Sequence, residues 1–120
     1  MKKIFLIPSI VLLLVLFASL AFVSAAVADT KSPVITMLNP SGSPYTTKDL
    51  HYVISGIVSD QGGSGVKLIS VNGAVVFRGS QNAVNFKYDF SLDKGYNYIK
   101  VASYDVAGNY AEKKFTIIRQ

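Results

Sequence analysis

The chain contains no cysteine. No disulfide can hold it together, no thiolate can act as nucleophile or metal ligand, and no thiol can accept a lipid thioether. Histidine is nearly absent too: His51 stands alone, which rules out the usual Cys/His zinc set. No Ser or carboxylate lies at a definable spacing from it, so it reads as a surface residue rather than a general base. The glycine-rich Gly62-Gly63-Ser64-Gly65 has no Gly-Lys-Ser/Thr sequence and opens no helix. Val66 also stands where a Gly-x-Ser-x-Gly motif needs its last glycine. Asp89 and Asp93, separated by a strand end and a turn, do not form a glycosidase pair. There is no repeat at solenoid periods. Positive charge is present but unclustered. The net charge is +5, yet beyond the first few residues only Lys113 and Lys114 are adjacent basic residues. That scatter argues against a nucleic-acid footprint and for a solvated surface, compatible with weak attraction to an anionic envelope polymer or membrane surface.

One long apolar run is present, and it lies at the start. Met1-Lys2-Lys3 is a short cationic opening. Ile4 to Val23 is apolar apart from Pro8, Ser9 and Ser19. Small residues follow, and both Ser24-Ala25-Ala26 and Ala26-Val27-Ala28 fit a small-x-small cleavage site. This is the order of a secretory leader. Cleavage is expected after Ala28, with Ala26 the second choice. The alternative is an uncleaved anchor helix, since the run approaches the roughly 20 residues that span a bilayer. The expected organisation is therefore a leader or anchor over 1–28, a polar linker over 29–32 and one domain over 33–120. Without disulfides, the roughly 90 residues of that domain must be held by a hydrophobic core.

The rest of the chain alternates short apolar runs with turn signals. Pro33 to Leu38 reads as an edge strand, and Tyr45-Thr46-Thr47 as a brief pairing. In Leu50 to Ser59, the residues Tyr52, Ile54, Gly56 and Val58 share one face. Gly56 there implies close backbone approach or a large neighbour. Val66–Val71 and Ala74–Phe77 flank Asn72-Gly73, a strong hairpin signal because both central residues of a type I′ turn need positive φ. Gly79-Ser80-Gln81-Asn82 reads as a loop. Asn85 to Leu92 alternates as a half-buried antiparallel strand. Tyr96 to Tyr104 and Ala111 to Ile118 complete the set, with Phe115 and Ile117 pointing inward. About seven short strands, with turns every 8 to 12 residues or so, predict an all-β antiparallel sandwich or small barrel.

Five stretches, taken in order, carry a resemblance. They are Ser55-Gly56-Ile57-Val58-Ser59-Asp60, Gly63-Ser64-Gly65-Val66, Val71-Asn72-Gly73, Gly95-Tyr96-Asn97-Tyr98-Ile99-Lys100-Val101 and Asp105-Val106-Ala107-Gly108-Asn109. Together they resemble bacterial immunoglobulin-like domains of the type named after the glucodextranase B domain. The resemblance covers nearly all of Pro33 to Ile118. It implies an immunoglobulin-like β-sandwich and an exported location, secreted or at the cell surface. It implies no activity.

Two constellations are candidates for function. In such a sandwich the loops after the second and sixth strands lie at one end, which brings Asp60, Ser64 and Gly65 towards Asp105, Gly108 and Asn109. Asp60, Asp105 and Asn109 could pin the loops by accepting N–H groups, or could contribute to a calcium site, though two carboxylates are few for that ion. The second constellation is Tyr96, Tyr98 and Tyr104 on one outward face. These could stack on sugar rings or a protein partner, or simply occupy half-exposed strand positions. The expectation is a non-catalytic exported module that binds a protein or a cell-envelope glycan, with no nucleic acid and no catalytic residues. A carbohydrate-binding accessory module and a calcium-stabilised surface domain are the alternatives. Membrane contact is expected only through an uncleaved N-terminal segment.

Overall fold

The computed structural model describes residues 28–120. The expected leader, apart from Ala28, lies outside the described residues. The described residues form eight strands: β1 (Val34–Asn39), β2 (Tyr45–Thr47), β3 (His51–Ser59), β4 (Val66–Val71), β5 (Ala74–Gln81), β6 (Ala83–Ser91), β7 (Gly95–Asp105) and β8 (Tyr110–Arg119). They make two sheets, one in the order β1-β3-β6 and the other β2-β8-β7-β4-β5. Every pairing is antiparallel except β2 with β8, which is parallel. The architecture is a two-sheet immunoglobulin-like sandwich. The eighth strand, beyond the seven or so that alternation suggests, is the three-residue β2.

Period-two alternation places the core. Ile54, Val58 and Phe86 from the smaller sheet meet Ile69, Ile99, Val101 and Ile117 from the larger one, all buried. Non-directional burial of these branched side chains is the main stabilising contribution in a domain without disulfides. Gly56 pairs with Phe86 across β3 and β6. A Cβ at Gly56 would lie 2.6 Å from the Thr36 carbonyl oxygen and 2.8 Å from the Phe86 ring, so glycine is needed to let the ring lie against the strand.

The Asn72-Gly73 turn forms as expected, with φ of 47° and 84°. The loop expected at Gly79-Ser80-Gln81-Asn82 does not form. β5 continues through Gln81, paired with Val66 of β4, and β6 begins at Ala83. β5 is an edge strand of the larger sheet, and Arg78 to Gln81 are all exposed. With no buried face in its second half, the segment has no alternation to reveal it. Gly79 lies under the Phe77 ring, where a Cβ would come within 2.7 Å.

Candidate functional site

The connection from β3 to β4 and the turn from β7 to β8 meet at one end of the sandwich. The Val106 N–H donates to the Gly65 carbonyl at 2.9 Å. Asp105, the last residue of β7, keeps the inward parity of Val101 and Ser103 and is fully buried. Its carboxylate accepts the Asn109 N–H and the Asn109 side-chain amide, both at 2.8 Å. Asp60 is buried as well and accepts N–H groups from Gly62 and Gly65 together with the Ser64 hydroxyl. Asp60, Asp105 and Asn109 are therefore brought together as the two-loop reading requires.

The sequence reading missed a third carboxylate, Asp29. It accepts the Lys31 N–H and both the N–H and the hydroxyl of Ser64, and its carbonyl accepts the Asn109 amide at 3.1 Å. One carboxylate oxygen from each of Asp29, Asp60 and Asp105 lies within 4.8 Å of the others. Gly62 makes room for this arrangement, because a Cβ there would overlap the Asp29 carboxylate. The Ser64 hydroxyl, and after it the Lys31 N–H, hold the Asp29 carboxyl below its ordinary value. Such a cluster has the oxygen chemistry to hold a hard cation. Each carboxylate also already accepts protein N–H or O–H donors, and these offset the concentrated negative charge. The one sequence signal for Asp29 was its acidity, and nothing local tied position 29 to residues 60 and 105.

The second constellation lies on the outward face of the larger sheet. Tyr96, Tyr98 and Tyr104 are 67%, 75% and 45% exposed. The Tyr96 and Tyr98 rings are nearly parallel, 14° apart, with centroids 6.4 Å apart. Across the β7–β8 ladder, Tyr104 pairs with Tyr110, and these rings lie 4.8 Å apart with a 48° tilt. Tyr110 is thus a fourth tyrosine of this face, and it could have been found by pairing residues across the turn. Lys100 pairs directly with Lys114 between the two tyrosine pairs. Lys114 lies 3.6 Å from Glu112, and Glu112 accepts the Tyr110 hydroxyl at 2.8 Å. That hydroxyl, and then the nearby lysines, push the Glu112 carboxyl down, while Glu112 pushes the Tyr110 hydroxyl up.

His51 faces outward, as expected, but it does have neighbours. The β3–β6 register sets it opposite Ser91 and beside Asp89. Ser91 Oγ lies 3.4 Å and Asp89 Oδ1 3.7 Å from the same ring nitrogen, Nδ1. A nucleophile–base–carboxylate relay needs the serine and the carboxylate on opposite ring nitrogens, so this group does not assemble one.

No family profile matches the chain, and no curated protein matches it. Among solved structures, the chain is similar to fibronectin(III)-like modules of Clostridium thermocellum CbhA. The TM-score is 0.53 at 20% identity, over 74% of this chain and 47% of that one. At that identity the likeness shows the fold alone: an immunoglobulin-like β-sandwich similar to a fibronectin(III)-like module.

Proposed function

We propose that this chain is a non-catalytic, exported accessory module that binds at the cell surface through the outward face of its larger sheet. One observation carries this reading. Two tyrosine pairs, Tyr96 with Tyr98 and Tyr104 with Tyr110, stand exposed in fixed register on one sheet face. Tyrosine offers a large amphipathic contact area at little entropic cost, which suits it to recognition surfaces. The likeness to a fibronectin(III)-like module supports an accessory role. The arrangement around His51 forms no nucleophile–base–carboxylate relay among the described residues. The finer resemblance to the glucodextranase B-domain type belongs to this proposal as well. In this reading the acidic end is a structural clasp and not a ligand site.

The test is retention of the purified full chain on isolated cell envelopes, wild type against Tyr98→Ala. Loss of a stacked, exposed aromatic contact should weaken retention by about tenfold, given roughly 1–3 kcal/mol for such a contact. Equal retention of the two proteins would remove the tyrosine face as the binding surface.

A further inference from the structure

The tyrosine face also carries charge in an arrangement that the fold alone does not explain. Lys100 and Lys114 are directly opposed across β7 and β8, and like charges placed so are unfavourable for the sheet. Glu112 pairs with Lys114, while Lys100 has no ion pair among the described residues. Two shallow depressions on the face each combine a tyrosine with at least one cation. One is lined by Tyr98, Lys114, Thr116 and Ser43. The other is lined by Tyr104, Lys67, Arg78, Leu68 and Gly108, with the buried Asp105 beneath. Tyr96 and Tyr104 are eight residues apart along β7, a span of roughly 27 Å at about 3.4 Å per residue.

From this arrangement we propose that the face binds an acidic polysaccharide laid along β7, with sugar rings against the tyrosine pairs and the polymer's anionic groups on Lys100 and Lys114. This rests on the reading of that face as the binding surface. The position of the lysines decides the class of partner. They lie in the middle of the face, where a protein interface is dry and lysine is depleted. A polysaccharide stays partly hydrated and can leave an ammonium wet on one side while using it as a charge-assisted donor. The exposed tyrosine rings offer the flat apolar surface on which the C–H face of a sugar ring can rest. The span from Tyr96 to Tyr104 favours an extended polymer over a single small sugar.

Affinity electrophoresis of the full chain tests the proposal, using gels that contain polygalacturonate, its fully methyl-esterified form, or a phosphodiester-linked glycan. Retardation by either anionic polymer is expected. The neutral ester should bind about tenfold more weakly than polygalacturonate if the carboxylate is the group read, and the phosphodiester polymer alone should retard if phosphate is. Lys100→Gln should lose about tenfold, Tyr98→Ala should lose at least as much, and added salt should weaken binding. Equal binding to the ester and the acid would overturn the proposal. So would binding that survives Tyr98→Ala and depends on charge alone, or tighter binding of oligothymidylate through the same tyrosines. If neither anionic polymer retards the chain while Tyr98→Ala still abolishes envelope retention, the acidic-polysaccharide inference fails and the binding face stands. If Tyr98→Ala affects neither assay, both fail.

Discussion

Asp105 shows what one side chain does in this fold. It is fully buried at the end of β7 and accepts two donors from Asn109, one from the backbone and one from the side chain. Asp105→Ala removes the acceptor and leaves the Asn109 N–H without a partner at a closed end of the sandwich. A loss of about 1–3 kcal/mol is expected, the usual cost of orphaning a buried polar group. It would be read as a lower urea midpoint at unchanged slope, and an unchanged midpoint would contradict it. Asp29 contributes in a pH-dependent way. The Ser64 hydroxyl and the Lys31 N–H depress its folded-state value below the ordinary 3.8. Its contribution is therefore fully present above the unfolded value and is lost as pH falls through the lower folded one. The stability curves of wild type and Asp29→Asn should converge below about pH 4 and separate above it. Urea midpoints measured across that range would show this, and parallel curves would remove the assignment.

The β4–β5 hairpin shows how a local signal acquires a distant role. Asn72-Gly73 was legible as a turn because the left-handed region favours those residues. What the turn grips was not legible. The Asn72 amide donates to the Tyr98 carbonyl at 3.1 Å, its side-chain oxygen accepts the Lys100 N–H at 2.8 Å, and its own N–H donates to the Lys100 carbonyl at 3.0 Å. The hairpin thus fixes the backbone beneath the residues proposed to bind. Asn72→Ala should cost about 1–3 kcal/mol, from two lost hydrogen bonds and a positive φ that alanine resists. Asn72→Gly should recover the backbone part only, and chemical denaturation separates the two variants. Equal stability of both would mean that the side-chain bonds contribute and the φ does not. The same contrast runs through the sandwich. Strands with one buried face, such as β3 and β7, were readable from alternation. The second half of β5 was not, because an exposed edge strand of Arg78, Gly79, Ser80 and Gln81 has no buried face to impose a period. Tyr110 was within reach of the sequence by pairing across the β7–β8 turn. Asp29 and the His51 neighbours Ser91 and Asp89 were hidden because they meet their partners through long-range register or folding, and neither is written in local spacing.

At the scale of the whole molecule, residues 29, 60 and 105 close one end of the sandwich, and three carboxylate oxygens lie within 4.8 Å of one another. Either a cation or the protein's own donors must offset that concentration of charge. The donors are present. Lys31, Gly62, Ser64, Gly65 and Asn109 direct N–H groups at these carboxylates, and the Ser64 hydroxyl is shared between Asp29 and Asp60. Calcium takes about six to eight oxygens, and binding it would require carboxylate oxygens that already hold the two loops together. A clasp made of hydrogen bonds predicts a melting temperature indifferent to calcium and to chelator. The measurement discriminates well. A ligand at about 100 times its Kd adds roughly 2.7 kcal/mol of stability. For a domain of this size each kcal/mol moves the midpoint by about 4–8 °C. A site with a Kd near 0.1 mM would thus raise the midpoint by more than about 10 °C in 10 mM calcium. The clasp predicts a change of less than about 1 °C in calcium or in EDTA, on the same relation. A calcium-dependent rise that disappears in Asp29→Asn would instead make the end of the sandwich a metal site and would reassign Asn109 and Ser64 from closing the loops to orienting its ligands.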